Sequence, residues 1–179
     1  MNTEDVGVVF IYFNYKDPQP ALGILGSFLK QLVSRKTSIP AQIQEVYQRH
    51  IKQGTRPTVT EVTELLQAEA QTLTTLFIVL DALDECTETN YCRVKILLEI
   101  RKLGSNLRIL VTGQEHVESI LLESFPGAKR MEIRASDEDI RKFVDGRIEI
   151  EQNMKRYIGQ DAKLRGSIVT TITKKVEGM

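Results

Sequence analysis

Two rhythms of apolar residues run through this chain: tight β-forming clusters and helical repeats. Val8, Val9, Phe10, Ile11, Tyr12 and Phe13 are all β-formers and predict a strand over Val6 to Tyr15. Asp17-Pro18 then begins a helix, with proline in the first turn, where its missing N–H costs nothing. Leu22, Leu25, Phe28, Leu29 and Leu32 recur along that helix at helical spacing. A second helix follows Pro40, with Ile43, Val46, Tyr47 and Ile51 on one face. After a turn at Gly54-Thr55-Arg56-Pro57, Thr58-x-x-Glu61 is the capping-box signature of a third helix with Val62, Leu65 and Leu66 inside.

The strongest signal comes next. Leu76-Phe77-Ile78-Val79-Leu80 is a continuous apolar run that ends abruptly in Asp81-Ala82-Leu83-Asp84-Glu85. A run of this length and composition suits a strand buried on both faces, the usual state in a parallel sheet. A polar loop, Cys86 to Tyr91, leads to a helix carrying Val94, Leu97, Leu98 and Ile100, broken at Gly104-Ser105-Asn106. Leu107 to Thr112 is another strand and Glu115 to Leu122 a short helix. Phe125-Pro126-Gly127 turns the chain, and Lys129 to Ile133 reads as a short strand. Beyond it the pattern is helical only. Ser136-Asp137-Glu138-Asp139 caps a helix with Ile140, Phe143, Val144 and Ile148 on its apolar face, and a last helix carries Leu164, Ile168, Ile172 and Val176.

Strands alternating with helical segments predict an α/β fold, a parallel sheet with helices on both faces. The shift at Ser136 divides the chain into an α/β core over 1–135 and the start of a helical subdomain over 136–179. There is no internal repeat and no low-complexity segment. Hydrophobic residues make up 41% and charged residues 27%, the balance of a globular chain. The 24 basic and 24 acidic residues cancel, which gives no support to a nucleic-acid-binding or polybasic membrane surface. No apolar run approaches the roughly 20 residues that span a bilayer. Met1 to Asp5 lacks the basic-then-apolar form of a signal peptide. Cys86 and Cys92, with only His50 and His116 beside them, form neither a disulfide framework nor a zinc site, so a reducing, cytoplasmic setting is expected.

Candidate chemistry concentrates at the end of the buried strand. Ligands of open α/β sheets bind at the carboxyl ends of the strands. A carboxylate there is held rigidly, and magnesium favours one or two such oxygens together with waters and phosphate oxygens. Asp81 is therefore the candidate metal ligand, and Asp84 or Glu85 the group that orients or deprotonates a water aimed at a terminal phosphate. Single acids at strand ends commonly do no more than cap a helix or end in solvent; the whole string has the form of a Walker B segment. Thr112-Gly113-Gln114 ends the next strand, and Thr112 and Gln114 are candidates to hydrogen-bond the phosphate or the water. The same three residues taken alone read as a strand ending in a glycine turn. Glu115-His116 has the bland reading of a helix start, and Tyr12, Phe13 and Tyr15 that of core filling rather than base stacking. A dehalogenase-type phosphatase needs a second Asp two residues after the first, and Leu83 stands there. No G-x-x-x-x-G-K-[ST] phosphate loop occurs in the 179 residues.

These segments together resemble the NACHT domain of STAND-class P-loop NTPases, in particular the nephrocystin-like NACHT segments of fungal proteins with ankyrin or WD repeats. Phe10 to Asp17 is similar to that family's second strand and Ile24 to Leu32 to the helix after it. Phe77 to Glu85 is similar to its Walker B segment, Leu107 to Gln114 to its sensor strand, and Met131 to Val144 to its last strand and first lid helix. The resemblance implies magnesium with ATP or GTP as cofactors of the full-length family. It also implies nucleotide-gated oligomerisation, and as partners an N-terminal phosphate-loop segment and C-terminal repeat domains.

The departures shape the expectation as much. The family's first strand and phosphate loop should precede Val8, its sensor strand ends in Thr-Ser-Arg where this chain has Thr112-Gly113-Gln114, and Lys174 to Met179 resembles a motif that normally continues. Both ends are thus expected to be cut. By the resemblance, the phosphate-loop strand would lie between Leu107–Thr112 and Lys129–Ile133, which should flank an empty slot and either close up directly or leave unpaired apolar edges open to aggregation. Two functions follow: a piece of a nucleotide-switched signalling NTPase that does not hydrolyse nucleotide alone, or a non-catalytic interaction module that keeps the fold.

Overall fold

The computed structural model describes residues 6–17, 19–86, 91–158 and 161–176. Met1 to Asp5, Pro18, most of the loop after Cys86, and the last three residues of the Lys174 to Met179 segment lie outside these. The chain forms two compact units, Met1–Ala128 and Lys129–Met179.

The first unit is built on three parallel strands, β1 (Val6–Tyr12), β2 (Thr75–Asp81) and β3 (Leu107–Val111), in the order β1-β2-β3. Val9 lies across from Ile78, and Ile78 from Ile109. Around them stand α1 (Ala21–Val33), α2 (Ala41–Gln53), α3 (Val59–Gln71), α4 (Cys92–Arg101) and α5 (Glu118–Ser124). The α/β class and its parallel sheet are those expected from the order of elements.

The core lies on one face of the sheet. Val9 and Ile11 of β1 and Leu76, Ile78 and Leu80 of β2 meet Ile24, Leu25, Phe28, Leu66, Ile96 and Leu97 of α1, α3 and α4. The alternate residues Val8, Phe10, Tyr12, Phe77 and Leu110 are between 42% and 65% exposed. The expectation that β2 is buried on both faces is therefore corrected: its run is continuous in sequence, but only every second side chain meets a helix. Tyr12 is exposed for the same reason and Tyr15 in the turn beyond β1 is exposed too, while Phe13 is buried as core filling predicts.

Several boundaries move. α1 begins after Pro20, not at Asp17. Proline disfavours helical backbone in the residue before it, so Gln19 cannot join the helix. On α2, Tyr47 and Ile51 are exposed and His50 is the buried residue. On α4 the inner face is Cys92, Arg93, Ile96, Leu97 and Ile100, and Leu98 is turned to solvent. The expected strand over Lys129 to Ile133 is absent: residues 128–136 are irregular, with Met131 and Ile133 more than four-fifths exposed. Alternating apolar residues make a strand only beside a partner, and the described residues supply none there.

The edge of β1 is closed by a side chain. Gln31 of α1 donates from Nε2 to the Phe10 carbonyl and accepts the Phe10 N–H at Oε1, both at 2.9 Å. Its amide thus stands where a neighbouring strand would pair. The second unit holds α6 (Asp137–Ile150), α7 (Gln152–Ile158) and α8 (Ala162–Val176). The Ser136–Asp139 capping box opens α6 as expected. Its small core is Val144, Ile148 and Val169, and Phe143, expected inside, is exposed.

Candidate active site

Asp81 is the last residue of β2, and Tyr12 of β1 lies across from it in register. On the other side Leu80 pairs with Val111, so Thr112 arrives beside Asp81 just beyond the end of β3. The Thr112 hydroxyl donates to Asp81 Oδ1 at 2.5 Å and accepts the Ala82 N–H at 2.9 Å. The Thr112 carbonyl accepts the Leu83 N–H at 2.9 Å, and the Thr112 N–H donates to the Leu80 carbonyl at 2.9 Å. Thr112 is therefore locked to the strand end that carries the acids, with its hydroxyl proton directed at Asp81.

Between Asp81 and the next acids the backbone turns sharply. Ala82 has φ 54° and ψ 51°, the left-handed region that a side chain with Cβ enters at a cost of about 1–2 kcal/mol. This turn swings Leu83–Glu85 into one turn of 3-10 helix. Leu83 is fully buried and anchors it, while Asp81, Asp84 and Glu85 are half-buried. Asp81 thus keeps one carboxylate oxygen, Oδ2, without a hydrogen bond among the described residues.

Gly113 follows Thr112 and lies against Asp84. A Cβ at this position would come within 3.3 Å of Asp84 Oδ1 and 2.9 Å of the Val117 side chain. The absence of a side chain at 113 lets the two strand ends approach. Gln114 is exposed at the start of the 3-10 turn Glu115–Val117, where its side chain does not cap that turn.

The structure joins Thr112 to Asp81 and sets Asp84 beside Gly113. Gln114 is two residues beyond Thr112 on the solvent side, and no hydrogen bond ties it to the acids. Glu85 faces the other neighbour, its Oε2 accepting the Tyr15 N–H at 3.4 Å. With Tyr12, Phe13, Asp17 and Cys86 it lines an indentation of about 10 Å³. That is room for about one water, whereas small-molecule sites usually enclose about 300–1,000 Å³. Chemically, the arrangement offers one anchored carboxylate, Asp81, with an oxygen left open, and two further acids in the turn beyond it.

Sequence reasoning missed three contributors: the strained Ala82, the close approach at Gly113, and Arg93. Arg93 is buried near the start of α4 and hydrogen-bonds the carbonyls of Leu83, Asp84 and Cys86. The one available signal was a cation in the first turn of a helix, where the helix dipole disfavours positive charge. Cys86 and Cys92 are buried and form no disulfide, in keeping with their bland reading, and His116 is exposed. Among the described residues no group of three or more metal-ligating side chains has the form of a preformed metal site. Nor is any described helix long and apolar enough to cross a membrane.

The family described as nephrocystin 3, N-terminal, matches residues 1–114. That span takes in the whole sheet, α1 to α4, and every candidate site residue through Gln114. Comparison with curated proteins and with solved structures returns no match. With a match over well more than half of its 179 residues, the chain belongs to the nephrocystin 3 N-terminal family.

Proposed function

We propose that this chain carries the acidic half of a nucleotide site of the NACHT kind, as part of a STAND-class signalling NTPase. Asp81 is the magnesium ligand, and Asp84 and Glu85 are the groups that direct water. The observation that carries this reading is the pairing of Asp81 with Thr112 at the carboxyl ends of two adjacent parallel strands, with Asp84 and Glu85 in the turn that follows. Thr112 serves here by orienting Asp81, since its proton is already committed to that carboxylate. Gln114 is the remaining candidate for a contact to phosphate or water.

Among the described residues, no phosphate loop stands beside the acids to bind a triphosphate. Phosphate loops supply backbone N–H donors and a lysine, and carboxylates alone repel the phosphates. The chain by itself is therefore expected not to hydrolyse ATP or GTP. In the setting that the resemblance implies, a phosphate-loop segment would complete the site, Asp81 would hold a magnesium supplying charge neutralisation at the phosphates, and nucleotide state would gate assembly. The decisive assay is magnesium-dependent phosphate release by the purified chain with ATP and with GTP. The expected result is no turnover above the Asp81→Ala variant. Robust turnover that Asp81→Ala abolishes would overturn this part of the reading.

A second reading is favoured by the neutral Gln114 and the small indentation beside Glu85: a non-catalytic interaction module that keeps the fold. Restoring positive charge with Gln114→Arg separates the two. Tighter binding of a fluorescent ATP analogue in the variant supports a nucleotide site, and unchanged, negligible binding supports the module.

A further inference from the structure

The sheet ends in two different edges. At β1 the Gln31 amide takes the place of a neighbouring strand, bonded to both backbone groups of Phe10. At β3, the last strand in the order β1-β2-β3, nothing comparable stands among the described residues. The Leu76 N–H donates to the Asn106 carbonyl at 3.0 Å, and the Thr112 N–H to the Leu80 carbonyl at 2.9 Å. Even-numbered residues of this stretch therefore turn their backbone groups to β2. Backbone direction alternates along a strand, so Leu107, Ile109 and Val111 turn theirs outward. Edge strands are normally blunted by proline, by a bulge or by charge. β3 has no proline, and its register with β2 runs without a bulge. Its one charge, Arg108, lies beside Phe77 on the open face.

We propose that this edge joins two copies of the chain, with β3 pairing antiparallel to the partner's β3 in one continuous sheet. A strand paired antiparallel with its own copy is isologous and closes around a two-fold axis. Centred on Ile109, the pairing sets Leu107 against the partner's Val111, Ile109 against the partner's Ile109, and Val111 against the partner's Leu107. Every outward N–H and C=O of β3 is then satisfied, and the facing side chains are aliphatic. Centring on Arg108 or on Leu110 leaves Val111 or Leu107 unpaired, and the former also sets the two guanidiniums opposite each other. Like charges in that position are destabilising. Centred on Ile109, Arg108 instead lies beside the partner's Leu110, where its aliphatic stem covers an apolar side chain. β3 is only five residues long, so the contact falls below about 1,200 Å² in total and the dimer is reversible. The proposal does not depend on the acids. It competes with the phosphate-loop strand that the resemblance would set beside Leu107–Thr112, because one edge takes one partner.

The test is sedimentation equilibrium of the full chain from about 1 to 500 µM, a range that spans weak pairwise contacts. The average mass is expected to rise from one chain towards two and to stop there, since the edge capped by Gln31 offers no second site. A mass of one chain throughout, or association past two, overturns the proposal. Leu110→Lys sets an ammonium beside the partner's Arg108 on both sides of the axis. Leu110 is 59% exposed, so the monomer keeps its fold, which circular dichroism checks. Dimerisation is expected to weaken at least about tenfold. Adding Arg108→Glu to that variant makes both pairs attractive, and dimerisation should return to within about threefold of wild type. Undiminished pairing in Leu110→Lys, or no recovery in the double variant, overturns the pairing proposed. Hydrogen exchange reads the edge itself. The Leu107, Ile109 and Val111 amides should gain protection as concentration rises, while those of Arg108 and Leu110, which face β2, stay as they are. A dimer whose edge amides do not change is joined through another surface, which also overturns the proposal.

Discussion

The two faces of the sheet carry almost the same chemistry and live in opposite environments. Val9, Ile11, Leu76, Ile78 and Leu80 are buried, while Val8, Phe10, Tyr12, Phe77 and Leu110, one residue away along the same strands, are largely open. β-propensity and hydrophobicity do not separate the two sets. What separates them is supply: α1, α3 and α4 bring their apolar stripes to one face. A strand interior that looks uniformly core-like in sequence is thus only half core here. The open half is an apolar surface of the kind that marks interaction sites or aggregation liability.

The largest effect that tests this contrast is a pair of neighbouring truncations. Ile78→Ala removes a fully buried side chain and is expected to cost about 2–5 kcal/mol. Phe77→Ala, on the open face, should cost under about 1 kcal/mol despite the larger side chain. Urea unfolding midpoints at constant slope compare the two. Equal costs would mean that the open face is covered in solution, by a second copy or by other parts of the chain.

A smaller effect is expected at the edge of the sheet. Gln31→Ala removes both hydrogen bonds to Phe10. The loss should be about 1 kcal/mol, since water replaces the amide at an exposed strand. The sharper readout is association: an uncapped β1 should raise light scattering in proportion to protein concentration. Unaltered scattering would show that the edge needs no guard.

The smallest effect is electrostatic and lies at the start of α3. The Thr58 N–H and hydroxyl, with His50 behind them, hold the Glu61 carboxyl down to about 2 from its ordinary 4.5. A carboxyl depressed in the folded state contributes stability above its unfolded value and loses it as pH falls through the folded one. Wild type should therefore melt above Glu61→Gln at pH 6, and the gap should close between about pH 4.5 and 2. A gap that persists at pH 2 would place the contribution elsewhere.

Local signals were legible because their causes are local. The Thr58–Glu61 and Ser136–Asp139 boxes, helix α2 after Pro40 and the strand ending at Asp81 all stand where periodicity and capping put them. The α1 start was misread because the second proline, not the first, governs the backbone before the helix. The strand expected over Lys129 to Ile133 failed because a strand is a property of a pair. At the candidate site the acids were legible as a motif, and Thr112 as a neighbour. Arg93 was not legible, because its value depends on carbonyls seven to ten residues away that sequence does not orient.

By itself, the sequence determined the alternation of strands and helices, the α/β class and the acidic strand end, since backbone preference and hydrophobic period act within a few residues. The tertiary structure alone decided three things. It chose which face of the sheet is covered, because that depends on where the helices land. It committed the Thr112 hydroxyl to Asp81, because parallel pairing sets residues 31 apart side by side. It made Arg93 the anchor of the acidic turn, because a buried guanidinium must find acceptors wherever the fold brings them.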